Sequence, residues 1–529
     1  MSSVADELPL LRAPRADRSA LIEPPVVEML RRFDRRCDAS LAPPRVGFDW
    51  GRLRSAARDQ VVAAARQWTS AWRDLPELPS DGPLVLAGHQ PQLFHSGVWF
   101  KNGVLDRLAR EGRGIGVDLI VDNDLCQSTA IRVPAGTPES PRIEAIPIDA
   151  VADGVPYEER RVIDERLFES FDRRVAERMA PWVPQPLLAE LWSETRDLPP
   201  TLPLGARIAI ARHRFEARFG WRTLELPLGR LCDSLPFREF ALSLWREAAR
   251  LRDDYNGALL EHRRRYRIRS NAHPVPELGR EGERIETPFW VWRRDDPRRR
   301  RLFVRTLSGD RLELDDGAGW RWSGAGSDWI RDEASPAGSD VRIRSRALTT
   351  TWFARTLASD AFVHGIGGAH YDRLTDRIIA THWGLTAPPF VTATATLRLD
   401  VPRPGRSDEE GNAIRRAMRD LEFRPEAFLQ DAERLDDEAM AAWQAKREWL
   451  AAPTPTDYAS LVRRHADIER SNRLLRPWVE TARQRLIDER ERWEREMRRE
   501  RLLGSREFSF ALFPAETLEA FFRESLERE

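Results

Sequence analysis

A short apolar run, Leu84-Val85-Leu86-Ala87, empties at Gly88 into His89-Gln90-Pro91-Gln92-Leu93-Phe94-His95-Ser96-Gly97-Val98-Trp99-Phe100-Lys101-Asn102. Leu and Val runs stopped by glycine and followed by an amphipathic segment, here Val104, Leu105 and Leu108, have the form of the first βα unit of an open parallel sheet. Ligands of such sheets bind beyond the carboxyl ends of the strands, so Gly88, His89, Gln90, His95 and Lys101 stand where chemistry is usually done. The alternative is a punctuated turn in which Gly88 and Pro91 only bend the chain and His89 is structural.

Lysine is the second constraint. Lys and Arg together number 85, yet lysine occurs only at Lys101 and Lys446. In a chain that writes arginine for a generic cation, a retained lysine points to a need for a compact ammonium that can lose its proton when desolvated. Lys446 lies on a polar helical stretch, where chance retention is as good an account.

The 529 residues exceed what one small core organises, so more than one structural unit is expected. Acidic residues also number 85, which leaves no electrostatic footprint of a nucleic-acid binder, and Arg298 to Arg301 read as a solvated hairpin turn. No apolar run of membrane-spanning length and no secretory h-region occurs, so a cytoplasmic protein without a membrane partner is expected. Cys37, Cys126 and Cys232 are too few and too scattered for a disulfide framework or a cysteine-based zinc site, and no metal ligand set is assigned.

Along the chain, residues 1–80 form a proline-punctuated extension with one helix near Trp50 to Arg73. Residues 81–156 hold the first half of an α/β core: a second apolar strand, Val117 to Val121, ends in Asp122-Asn123-Asp124, and a third lies near Ile143 to Ile148. A right-handed strand-helix-strand crossover brings the carboxylates of Asp122 and Asp124 to face the histidine loop. Residues 157–285 read as mainly helical, interrupted by a strand between Trp221 and Leu228. Alternation of Phe289, Val291, Leu302, Val304, Leu312 and Leu314 predicts a small antiparallel insertion over 286–323. In 324–404 a helix near Leu348 to Leu357 precedes a strand, Asp360 to Val363, that opens into His364-Gly365-Ile366-Gly367-Gly368-Ala369-His370-Tyr371-Asp372. A helix starting near Tyr371 would aim its positive end at a bound anion, although a tight structural turn explains the glycines as well. Residues 405–503, rich in Arg, Glu, Ala and Leu, read as an antiparallel helical arm with a seam of Leu486, Trp493 and Met497 that serves a homodimer or braces the body. The apolar segment in 504–529 is expected to dock on the core.

These motifs resemble the bacillithiol-biosynthesis cysteine-adding enzymes, whose Gly-Gln-Gln-Pro-Gly-Leu-Phe loop, followed by Thr-Gly-Pro and a lysine, is similar to Gly88 through Phe94 and Lys101, at shorter spacing. Val121-Asp122-Asn123-Asp124 resembles the family's Glu-Asp-His-Asp strand end, and Ile366-Gly367-Gly368 with Tyr371 resembles its Ile-Gly-Gly segment, shortened and without the family glutamate. The chain departs at His89 for glutamine, Asn123 for histidine and His370 in place of a carboxylate. The resemblance runs in order from about residue 80 to the tail. It implies a Rossmann-like nucleotidyltransferase-type core with connecting subdomains, a coiled-coil dimer, and ligation of cysteine to a glucosaminyl-malate. A shorter likeness of His89-Gln90-Pro91 to the WbqC-like family implies small-molecule biosynthesis in general.

The expected chemistry follows. Lys101 and the amides of Gly367 and Gly368 hold negative charge, His89 or His95 is the general acid or base, and Asp122 and Asp124 bind a substrate amine or, less favourably, magnesium. Gly88, Gln90, Asn123, His364, His370, Tyr371 and Asp372 complete the substrate-contacting set. The sequence identifies no activating nucleotide and does not show that one is used, so the cofactor stays unknown, with ATP or another nucleotide with magnesium as one candidate. Two further readings stay open: nucleotidyl or acyl transfer on an activated sugar, and a metabolite-binding scaffold whose arm recruits partners.

Overall fold

The structure is a computed structural model that describes residues 11–34, 45–151, 154–270, 275–331, 340–429 and 435–528; Cys37 lies outside them. Strand β1 (Ser19–Glu23) and helices α1 (Val26–Asp34) and α2 (Trp50–Ser70) lead into β2 (Leu84–His89), α3 (Ser96–Glu111) and β3 (Ile115–Ile120). β2 and β3 run parallel, Leu84 beside Ile115 and His89 beside Ile120, with α3 as the crossover. The third expected strand forms, but outside this sheet: β4 (Ala130–Gly136) and β5 (Pro141–Pro147) pair only with each other. Helices α4 (Glu165–Glu169), α5 (Phe171–Met179), α6 (Leu188–Arg196) and α7 (Leu204–Arg218) follow, then β6 (Leu224–Pro227), α8 (Leu228–Cys232), α9 (Leu235–Arg246) and α10 (Ala248–Arg265).

The antiparallel insertion contains β7 (Arg280–Glu281), β8 (Arg284–Arg293), β9 (Asp296–Thr306), β10 (Arg311–Asp315) and β11 (Arg321–Ala325), and after α11 (Gly326–Ile330) it gains β12 (Val341–Ser345) against β8. β12 escapes an apolar reading because Arg342 and Arg344 interrupt it. Arg344 is buried all the same, between Glu158 at 2.9 Å and Asp233 at 2.7 Å. Arg298 to Arg301 lie on β9 rather than in its turn. Arg298 and Arg301 are 71% and 62% exposed, but Arg299 is only 14% exposed and is directed inward.

Helix α12 (Ala347–Phe353), continued by one wider turn over Ala354–Ala358, precedes β13 (Ala361–His364), α13 (Ile366–Trp383) and β14 (Phe390–Thr396). The main sheet has the order β1-β14-β13-β2-β3-β6, parallel throughout except for β1 on its edge. In chain order its parallel strands are β2, β3, β6, β13 and β14, so the sheet grows one way from β2 and the other way from β13. The strand order reverses between those two neighbours, which is where open α/β sheets form a ligand crevice.

Both faces of the sheet are covered, which is why its strands are continuous apolar runs. Leu84, Leu86, Val117, Leu119, Leu224 and Leu226, alternate residues on three strands, share a core with α2, α9 and α13. Each such side chain removed from water contributes about 2 kcal/mol. The opposite face receives α3: a Cβ on Gly116 would sit 3.2 Å from Ala109 and 3.3 Å from Leu105.

Two compact units emerge: a body of Met1–Val133, Glu144–Leu399 and Arg506–Glu529, and an arm unit of Pro134–Ile143 with Asp400–Ser505. Among the described residues the arm has four α-helices, α14 (Asp408–Phe423), α15 (Asp437–Ala451), α16 (Tyr458–Leu475) and α17 (Glu480–Leu503). Its seam is occupied within the arm itself. Leu486 packs with Leu421, Val479 and Ala482, and the Trp493 ring lies so close to Gly411 that a Cβ there would be 2.2 Å from it. In the body, the final helix α18 (Ala515–Glu527) packs on α3. No described helix is long and apolar enough to cross a membrane.

Candidate functional site

At the end of β2 the chain turns through Gly88 and His89, and α3 starts under a histidine cap, His95 Nδ1 accepting from the Gly97 amide at 3.1 Å. Gly97 has to be glycine, since a Cβ would lie 2.2 Å from the Ala395 carbonyl oxygen. The other ring nitrogen of His95 faces Glu507 at 3.7 Å, so both are engaged in holding the turn.

Lys101, inside α3, runs back to the strand end. It is 2% exposed, and its Nζ donates to the Gly88 carbonyl at 2.6 Å. Burial lowers the ammonium to about 8, reinforced by Arg212 and opposed by Asp118 and Glu216. His89 Nδ1 lies 3.0 Å from the Gln90 carbonyl, which can only accept, so Nδ1 carries the hydrogen and Nε2 is the free acceptor. Burial first, then the Lys101 charge, pushes His89 down to about 3, which keeps it neutral. Its ring stands edge-on to Phe94 at 5.0 Å. His89 and Asp122, at the ends of neighbouring strands, each retain some accessible surface.

Gln90 ties this loop to the next strand end, its Nε2 donating to Asp124 Oδ2 at 2.9 Å. Asp124 is also paired with Arg299 at 2.9 Å, and Asn123 is buried with its amide on the Ser345 carbonyl at 2.8 Å. Asp122 accepts from the Gly229 amide at 2.9 Å, and burial and the nearby Glu158 raise its carboxyl well above the usual range. Asp124 is therefore held by Arg299 and Gln90, and Asp122 by backbone.

The second loop differs from its expectation. Helix α13 begins at Ile366, five residues before Tyr371, so Gly367 and Gly368 form its first turn and Gly365 caps it without a side chain. No atom lies within 4 Å of where a Cβ would sit on Gly365 or Gly367, whereas on Gly368 it would be 2.8 Å from His364 Nδ1. His364 ends β13 and is buried, with Nε2 2.8 Å from Asp372 Oδ2; Asp372 also accepts from Thr351 and Arg355, each at 2.6 Å. Although burial pushes Asp372 up, Arg355 and His364 hold it below the usual carboxylate range. Burial lowers His364, and the charge of Lys101 is felt there as well. Val363 pairs with Ala87, so His364 and Gly88 continue the two strands side by side. The structure thus brings together Gly88, His89, Lys101, His364, Gly367, Gly368 and Asp372. His370 turns instead toward His262 on α10, and Tyr371 packs on the core.

Beneath these residues lies a buried network that sequence reading missed. Arg212 on α7 bonds to Glu225, to Glu216 at 2.9 Å and to Asp118 at 3.4 Å, and its guanidinium lies 5.6 Å from the Phe94 ring. Asn102 donates to Asp118 at 3.1 Å and to Glu216 at 2.9 Å, and Trp99 to Glu216 at 2.7 Å. His213 Nε2 is 2.9 Å from the Thr223 carbonyl, so it carries the hydrogen and leaves Nδ1 facing Glu225 Oε2 at 3.6 Å. A lone pair and a carboxylate repel unless a proton lies between them. Burial drives Glu225 well above and His213 well below their ordinary values, which places that proton on Glu225. The only sequence signal was an Asp inside the apolar run at Asp118.

Cys126 and Cys232 are free, buried thiols raised by burial, Cys232 to about 12, which makes them poor nucleophiles. Among the described residues no group of three or more His, Cys, Asp or Glu is placed to hold a metal ion. A groove of about 1130 Å³ in the arm unit, lined by Arg406, Glu410, Ile414, Leu486 and Trp493 among others, contains none of the site residues of the strand ends. No protein-family model and no curated protein matches the chain.

Proposed function

We propose that this chain is a ligase with a Rossmann-like nucleotidyltransferase-type core that joins an amino acid, cysteine first among them, to a small acidic acceptor of the glucosaminyl-malate kind. The observation that supports this reading is the meeting of Lys101, His89 and the His364–Asp372 pair at one strand edge, where the sheet order reverses. In this reading the acceptor amine attacks the carboxyl carbon of the amino acid, and a carboxyl oxygen leaves with the activating phosphoryl or nucleotidyl group, ATP with magnesium being the expected source. Lys101 and the open amides at the start of α13 hold the negative charge of that group. His364 takes the amine proton, because Asp372 orients its ring and stabilises the imidazolium. His89, fixed neutral, offers Nε2 as a hydrogen-bond acceptor rather than as the base. A cytoplasmic homodimer remains part of the proposal, using arm surfaces other than the Leu486 seam.

Incubation of the purified protein with ATP, magnesium, cysteine and glucosaminyl-malate, followed by mass analysis, tests the reading. The expected product has the mass of the two substrates less one water, and His364→Gln should remove it. Absence of that product, with transfer from sugar nucleotides instead, would replace ligation by group transfer on an activated sugar.

A further inference from the structure

The inserted antiparallel sheet and the cap of α12 bring two guanidinium groups beside the Asp122-Asn123-Asp124 loop. Trp290 on β8 is half-buried, and Arg299 from β9 and Arg346 from the amino-terminal cap of α12 both stack on its ring, at 4.9 and 4.0 Å from the centroid. Arg299 Nη1 donates to the Asn123 carbonyl at 3.1 Å and to Asp124 at 2.9 Å, so this pair adjoins the Asp122-Asn123-Asp124 loop. Arg346 Nη2 donates to Glu286 at 2.8 Å, and Arg301 shares that carboxylate at 3.4 Å.

Three cations thus share two carboxylates. Both Nε atoms, of Arg299 and of Arg346, are buried without a partner, and Arg299 Nη2 and Arg346 Nη1 make no hydrogen bond among the described residues. Burial lowers both arginines, and each also feels a neighbouring guanidinium, Arg346 acting on Arg299 and Arg301 on Arg346. Like charges held near one another with spare donors are unfavourable, and an anion that binds them offsets that repulsion. Contact with the Trp290 ring holds both groups in place, and each keeps donors without a partner among the described residues.

We infer that Arg299 and Arg346, clamped on Trp290, form an oxyanion subsite that takes a carboxylate or phosphate group of the substrate. Its assignment to the acidic acceptor rests on the ligase reading above; the binding itself does not. The source is distinguished by titrating the full-length protein calorimetrically with L-malate, with inorganic phosphate, and with dimethyl L-malate as the uncharged control.

At least one of the two anions should bind and the diester should not. Binding of malate alone assigns the subsite to a carboxylate, and binding of phosphate alone assigns it to a phosphoryl group. Arg299→Gln and Arg346→Gln should each weaken binding roughly tenfold to a hundredfold, the loss expected for one charge-assisted bond. Should Arg299→Gln fail to fold, Arg299→Lys keeps the charge beside Asp124, loses the fork, and should still bind about tenfold more weakly. The subsite is overturned if neither anion binds, if the diester binds as well, or if the folded variants match the wild type. A protein that binds malate through these arginines yet makes no product keeps the subsite and loses the ligase reading. Product formation with unchanged anion affinity in the variants does the reverse.

Discussion

The two lysines of the chain are equally buried, each 2% exposed, and they are built into opposite situations. In the arm, Lys446 spends all three of its donors, on the Phe423 carbonyl at 2.9 Å, Glu426 at 2.5 Å and Asn472 at 2.6 Å. In the body, Lys101 has one acceptor, Gly88, and its other two donors meet none among the described residues. Burial therefore does not distinguish the two ammonium groups. The number of donors left over does, because a spare donor in a low-dielectric site binds whatever anion arrives.

The comparison breaks most readily at Lys446. Lys446→Met leaves Glu426 without its counter-charge and Asn472 without its donor, and chemical denaturation should show a loss of about 3 to 5 kcal/mol. A neutral outcome would make the two lysines alike. Lys101→Met should behave in the opposite way, folding at least as stably as the wild type at pH 7 because it removes a desolvated charge. For turnover, Lys101→Arg is the sharper variant. The broader fork misplaces the charge, and the rate of product formation should fall roughly a hundredfold, about 3 kcal/mol, with an unchanged melting temperature.

The titration of Lys101 gives a smaller, signed effect. Unfolded, the ammonium keeps its proton to an ordinary value near 10.5, whereas in the fold it releases it near 8. Between those values the unfolded chain binds more protons, so stability rises with pH across that window, by about 1 to 3 kcal/mol. Denaturation midpoints of wild type and Lys101→Met, compared from pH 7.5 to 10 in roughly half-unit steps, should therefore diverge in favour of the wild type. Parallel curves would return Lys101 to an ordinary lysine. The least change is expected at Glu225→Gln, which copies a protonated carboxyl in shape and charge and should cost less than about 1 kcal/mol in thermal unfolding. A cost of several kcal/mol would mean that Glu225 is ionised.

Much of the body could be read because burial on both faces leaves uninterrupted Leu and Val runs. β2, β3 and β13 are legible in that way, and the small sheet through its alternation. The residues that finish the site were not, for a physical reason. Arg212, Glu216 and Glu225 look like solvated surface charge unless their partners, distant in sequence, are known, and Arg299 hides among four consecutive arginines. Lys446 misled through the same ambiguity: a polar helix in sequence is a buried knot once Glu426 and Asn472 close around it. His95, expected with His89 as an acid or base, caps α3 through Nδ1, a role that a histidine followed two residues later by glycine at a helix start also fits. The sequence places the start of α13 too late because Gly367 and Gly368 argue against helix, and only the close approach of His364 to Gly368 gives a packing reason for one of them.

The segment after the arm has a consequence for how such a chain is made. Phe510 donates its amide to the Phe94 carbonyl at 2.8 Å, its ring lies 4.3 Å from Trp99, and Ser509 bridges to His95. The loop it closes is translated roughly 400 residues earlier. At ribosomal speeds the aromatic face of α3 therefore waits on the order of half a minute for its cover. Through that interval Trp99 and Phe100 belong to a nascent chain with an open hydrophobic flank, and a pause within the arm message would lengthen its time as a chaperone client.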